Sequence, residues 1–376
     1  MNGNHLSVVL LPTSACNAAC EYCFEDKRND SLSLERLGRI IDKVLDHMDA
    51  QGKEALSIHW QGGEAMLLPP RWYRQAFDLI ENAAAARAKT IEHGLQSNML
   101  AFSPAWVPVI AEMFGNSIST SFDYPNLYRK VPGHDPAHYD ALWMSKVRQA
   151  RAAGIDVKVI SVPNQATLDL GAERFYTHLV EELGVTDFQI NTPFPGGEVN
   201  DAKRALELDI AELARFHCEL ADIWLERGAD QDVRIGPFDQ LMNHFSQRDA
   251  ILPCIWGRNC AEAFIAIDAN GHVAQCDCWV TSYPEYRFGN ILQSNSLSEL
   301  LRDSPARRRF TERPVQLMQG DCIDCDHLAL CHGGCPIRTY SMHQSLSEKD
   351  PYCELYKRLF RHIEDQATRL AGRHRF

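Results

Sequence analysis

The chain reads as an α/β protein, a partial barrel of six β/α units followed by a cysteine-rich C-terminal region. Three observations predict it. Short β-rich runs alternate with helical stretches through the first half, the alternation stops near Pro193, and nine of the thirteen cysteines lie beyond residue 250.

The six β-rich runs fall at residues 6–12, 55–60, 90–96, 117–122, 157–162 and 188–192. Strands separated by helical patterns favour a parallel sheet, because each crossover needs a helix to return the chain. Apolar residues at helical spacing over 34–48 and 72–85 supply such crossovers, and Gly154 and Gly184 stop two helices before the next strand. Six units suit an incomplete barrel.

Residues 1–200 form this first unit, 201–250 a helical bridge centred on 206–227, and 251–376 the cysteine-rich unit. In the last, runs 263–267 and 272–275 flank Asp268-Ala269-Asn270-Gly271, a tight-hairpin signal that brings Cys260 and Cys276 together. Leu355, Leu359, Ile363, Ala367 and Leu370 share one face of a closing helix expected to pack against the barrel.

The 376 residues are 45% hydrophobic with a net charge of −12. That balance suits a large solvated protein and argues against nucleic acid or an anionic membrane as partner. The start lacks a basic segment followed by an apolar one, and no run of about 18 apolar residues occurs. A cytoplasmic protein is expected, and there thirteen cysteines point to metal or cluster ligation rather than disulfides.

Cys16, Cys20 and Cys23 stand as C-x3-C-x2-C directly after the first strand. Three thiolates hold three irons of a cubane and leave the fourth open, whereas electron-transfer clusters take four cysteines. A zinc site is the competing reading, but no obvious fourth ligand lies nearby.

This loop, with Tyr22 before its last cysteine, resembles the hallmark of the radical S-adenosylmethionine (SAM) superfamily. The resemblance implies that SAM chelates the open iron and is cleaved to a 5'-deoxyadenosyl radical that abstracts hydrogen from an unactivated C–H bond. It also implies roles for Gly62, Gly63 and Glu64 of a Gly-Gly-Glu motif after the second strand, beside the SAM amino group. Gln96, Ser97 and Asn98 after the third strand, with Ser121 and Asp123 after the fourth, match positions that contact SAM in relatives.

The array Cys260, Gly271, Cys276, Cys322, Cys325, Cys331, Cys335 and Cys353 resembles the SPASM domain of radical SAM maturases at each spacing. The resemblance implies two auxiliary clusters, one on Cys254, Cys260, Cys276 and Cys335 and one on Cys322, Cys325, Cys331 and Cys353. With the SAM-binding cluster that makes three [4Fe-4S] clusters. Spacing alone leaves two ribbon-type zinc sites open. Cys218 and Cys278 are left over and read as packing residues.

Over the whole length the chain is similar to anaerobic sulfatase-maturating enzymes and to maturases of ribosomally made peptides. In the former an Asp directly after the third auxiliary ligand removes a proton from the substrate serine or cysteine, which makes Asp277 the candidate general base. The sequence departs from them at Tyr124, where Gly is usual, and at Cys278, where an aromatic is expected. The first reading is therefore a maturase that oxidises or cross-links a side chain of a peptide or protein. Formylglycine formation on a sulfatase, radical oxidation of a small metabolite and a non-catalytic metal-binding protein are the alternatives. An external electron donor such as flavodoxin or ferredoxin is implied.

Overall fold

The computed structural model describes residues 4–257 and 260–373. Among the described residues, ten strands form one sheet, in the order β10 (Gly289–Asn290), β9 (His272–Ala274), β8 (Phe264–Ile267), then six strands in chain order, then β7 (Arg234–Gly236). The six expected strands are β1 (His5–Leu10), β2 (Ala55–Trp60), β3 (Thr90–Ser97), β4 (Ser117–Ser121), β5 (Asp156–Ser161) and β6 (Asp187–Ile190), all parallel. The α/β partial barrel is thus the fold.

Burial explains the parallel arrangement. Five consecutive residues of β1, Leu6 to Leu10, are buried, as expected of a strand covered on both faces. Helices Leu34–Ala50 and Pro70–Ala85 pack on one another outside β1–β3, setting Ile40, Ile41, Val44 and Met48 against Tyr73, Ala76 and Ile80 in one core. Ser33 caps the first of them by accepting from the Arg36 amide.

Beyond the six, the sheet is extended at both sides, by one strand that sequence patterning left out and by the expected hairpin. β7 (Arg234–Gly236) pairs parallel with β6, so the expected helical bridge contributes an edge strand. Three residues are too few to show a period of two, which is why it escapes pattern reading. At the other edge, β8 (Phe264–Ile267) pairs parallel with β1, Leu10 opposite Ile267.

The hairpin β8–β9 (His272–Ala274) forms about the expected turn. The Gly271 amide donates to Asp268 O, Gly271 sits at φ +84°, and the Asp268 carboxylate accepts from the Asn270 and His272 amides. β10 (Gly289–Asn290) completes this edge antiparallel to β9.

The closing helix, Cys353–Arg373, packs on the bridge helices Ile210–Arg227 and Phe238–Phe245 rather than on the barrel helices. Leu355, Leu359, Ile363 and Ala367 are buried as expected, while Leu370 is 37% exposed, because the helix outruns its partners there. No described helix is long and apolar enough to cross a membrane.

Candidate active site and cysteine-lined cavities

The loop leaving β1 holds Cys16, Cys20 and Cys23, and its shape is imposed by neighbouring backbone. The Gly63 and Glu64 amides donate to Thr13 O (3.0 Å) and Ala15 O (2.8 Å). A Cβ on Gly63 would lie 2.3 Å from Ser14 O and Ala15 O, and one on Gly62, at φ +131°, 2.4 Å from Thr13 O. The two glycines are thus required by contact with the cysteine loop itself.

Glu64 is 2% exposed and accepts three hydrogen bonds: from Ser97 Oγ (2.6 Å), the Asn98 amide (2.7 Å) and the Met66 amide (2.8 Å). It therefore ties the ends of β2 and β3 together. Asn98 Nδ2 in turn donates to Asn17 Oδ1 at 2.7 Å and approaches Cys16 Sγ at 3.8 Å. Burial pushes the Cys16 thiol up to about 11.

On the other side, Ala19 and Glu21 amides bond to Lys130 O and Tyr128 O. Asp123, 2% exposed, receives the Tyr22 hydroxyl, Arg129 Nε (2.8 Å) and the Val162 amide (2.9 Å). The Arg129 guanidinium also lies over the Tyr22 ring. Both Asp123 oxygens are thus engaged by the chain itself. Gln96 Nε2 donates to Ser121 Oγ across the β3–β4 seam at 3.0 Å.

Asp277 begins the short helix Asp277–Ser282 that follows β9 and Cys276. Its Oδ2 accepts from Gln61 Nε2 at 2.5 Å, so the residue before the Gly-Gly-Glu motif meets the residue after the third array cysteine. Burial raises the Asp277 carboxyl above the ordinary range.

A second carboxyl escaped the sequence reading. Glu25, two residues beyond Cys23, is raised well above its usual range by burial and by facing Asp277. Its Oε2 is buried and accepts no hydrogen bond. Nothing in the local sequence marks it, because its neighbour is 252 positions away.

Two cavities lie in the cysteine array. One, of about 250 Å³, is lined by Cys322, Cys325, Cys331 and Cys353, with Gly333, Lys349 and Asp350. The other, about 340 Å³, is lined by Cys254 and Cys260, with Gly257, Arg313, Gly334 and Pro336. The Cys254, Cys260 and Cys276 thiols each interact electrostatically with Cys335. Cys278 shares that interaction, so Cys254, Cys260, Cys276, Cys278 and Cys335 lie together, apart from the four cysteines that line the first cavity.

Burial pushes Cys260 and Cys331 up to about 12. Crowded, largely shielded thiols become thiolates when a metal takes the place of the protons, so these donor sets fit soft, thiophilic iron–sulfur groups. Of the leftover cysteines, Cys278 is 1% exposed, and Cys218 is only partly buried.

Comparison with known proteins agrees with this architecture. The profile of the radical SAM superfamily matches residues 10–163, and that of the SPASM iron–sulfur cluster-binding domain matches residues 254–326. A serine-type anaerobic sulfatase-maturating enzyme of Bacteroides thetaiotaomicron is 25% identical, over 95% of this chain and 89% of its own. A cysteine-type counterpart from Clostridium perfringens is 26% identical over 98% of both.

Among solved structures, native anSMEcpe with bound AdoMet superposes with a TM-score of 0.79 at 21% identity, covering 98% of this chain and 100% of that one. Streptococcus suis SuiB bound to precursor peptide SuiA gives 0.58 at 16% identity, covering 93% and 76%.

Fold and matched regions together define a radical SAM enzyme. More narrowly, it is one that carries an iron–sulfur-binding SPASM domain on the same chain, with sulfatase-maturating enzymes among its relatives.

Proposed function

We propose that the chain is a peptide or protein maturase that oxidises the β-carbon of a serine or cysteine side chain, the reaction class of its sulfatase-maturating relatives. The observation that carries this is the Gln61–Asp277 pair, a part-buried carboxylate held by an amide beside the cysteine loop.

In this reading Cys16, Cys20 and Cys23 hold the SAM-binding cluster. Cys254, Cys260, Cys276 and Cys335 hold one auxiliary cluster, and Cys322, Cys325, Cys331 and Cys353 the other. Gln96, Ser97, Asn98 and Ser121 border SAM, while Glu64 and Asp123 brace the loops around it. When bound, these groups supply hydrogen-atom abstraction and accept the electron left on the substrate.

The protein's own part is proton transfer and positioning. An Asp277 oxygen takes the proton of the substrate hydroxyl or thiol, and Gln61 Nε2 orients the carboxylate toward it. The raised affinity of Asp277 for a proton suits a base, and Glu25 opposite it keeps a free oxygen for a donor on the substrate. Tyr124, the departure from relatives, stacks on His178 with ring centroids 3.6 Å apart.

The test is anaerobic incubation of the reconstituted enzyme with SAM, a one-electron donor and peptides spanning the maturation site of a sulfatase, in serine and cysteine forms. An aldehyde on the target residue, formed with 5'-deoxyadenosine, supports the reading. Formation of 5'-deoxyadenosine with every such peptide unmodified sinks it, and a cross-linked product would favour a different maturase.

A further inference from the structure

Three charged side chains lie buried between the two cysteine-lined cavities: Arg313, Arg338 and Asp350, at 5%, 4% and 1% exposure. Their hydrogen bonds leave an imbalance of charge.

Arg313 spends its donors on neutral acceptors, Gly333 O (2.9 Å), Gly334 O (3.1 Å), Leu346 O (2.9 Å), Glu348 O (3.3 Å) and Thr339 Oγ1 (3.3 Å). Arg338 gives Nη1 to the Tyr356 hydroxyl at 2.9 Å, and its buried Nε has no acceptor. Asp350 is occupied elsewhere, by the Cys335 amide (2.7 Å), the Tyr352 amide (2.9 Å) and Tyr356 (3.3 Å). Two guanidiniums thus share a single carboxylate that neither of them hydrogen-bonds.

A buried cation is expensive unless an anion lies close. The anions available are thiolates. Arg313 lines the same cavity as Cys254 and Cys260, and Arg338 stands in the first turn of the helix that Cys335 opens and interacts electrostatically with that cysteine.

Cys335 is singled out further. It is the N-cap residue of the helix Pro336–His343, so its thiol sits at the positive end of that helix, one turn before Arg338. A four-thiolate cluster carries net negative charge that grows on reduction, so cations and N–H donors at its sulfurs favour the reduced form.

We infer that Arg338, supported by Arg313, is the charge partner of the cluster on Cys254, Cys260, Cys276 and Cys335, and holds its reduction potential up so that it accepts an electron. This rests on the cluster assignment above. Arg338 is a positioning residue here: it acts through the cluster's charge and touches no substrate.

The test is an EPR-monitored redox titration of the full chain in a Cys16→Ala, Cys20→Ala, Cys23→Ala background, so that only the auxiliary clusters contribute. Arg338→Gln should lower the midpoint potential of one cluster at unchanged iron content, and Arg338→Lys should restore it. Asp350→Asn removes the carboxylate that both guanidiniums share and should shift potentials upward, a measurement that stands even if Arg338→Gln fails to load. An unshifted potential in loaded Arg338→Gln, or an unshifted or lowered one in Asp350→Asn, overturns the inference. Absence of iron from the parent background would instead sink the cluster assignment itself.

Discussion

Gln61 and Asp277, 216 positions apart, meet in one hydrogen bond that joins the end of β2 to the start of the helix after β9. The contact exists because β8 is the next strand to β1 in the same sheet, so the cysteine-rich region and the first strands share an edge.

Asp277→Asn should leave cleavage of SAM to 5'-deoxyadenosine largely intact and lower product formation by roughly 10²–10⁴-fold, the usual worth of a positioned base. Gln61→Ala should cost less, and its effect should largely vanish in the Asp277→Asn background, since each residue acts through the other. The ratio of product to 5'-deoxyadenosine, by mass spectrometry, checks both.

Gly63→Ala puts a methyl group 2.3 Å from two carbonyl oxygens of the cysteine loop. Those oxygens belong to backbone and have nowhere cheap to move. The variant should keep its circular dichroism spectrum yet lose most SAM cleavage, with less iron bound at Cys16, Cys20 and Cys23. Unchanged cleavage would show that the loop yields.

Arg129→Met strands the buried Asp123 carboxylate next to Tyr22. Breaking such a pair from one side costs about 3–5 kcal/mol, and the double variant Asp123→Asn, Arg129→Met should recover part of it. Urea denaturation of the four proteins in a cycle measures the coupling.

His217 is 1% exposed and burial pulls its imidazole from an ordinary 6.5 down to about 4, with only Leu213 O as partner. The unfolded chain takes up a proton near 6.5 and the folded chain does not until about 4. Stability therefore falls as pH drops between those values, by at most about 1.4 kcal/mol per pH unit from this group. His217→Phe should flatten the slope by about one proton in denaturation measured across that window.

The six parallel strands were legible because each carries a run of β-formers followed by helix at the expected spacing, and the cysteine spacings stand out in any composition like this one. What stayed hidden is what depends on distant neighbours. Glu25 has no local mark as a partner of Asp277. Arg313 and Arg338 look like solvated basic residues of ordinary helices until folding places them between cysteine groups. Asp123 reads as a strand-end ligand, yet Arg129 and the Val162 amide meet both its oxygens. β7 was too short to have a pattern at all.

The order of the array has a consequence for assembly. The chain lines one cavity at Cys331, is drawn to the other group at Cys335, and comes back at Cys353. Neither group can be cut out as a self-contained segment of chain. A break in the chain between Cys331 and Cys335 would therefore part both groups at once, whereas one between Cys335 and Cys353 would part only the group that lines the smaller cavity.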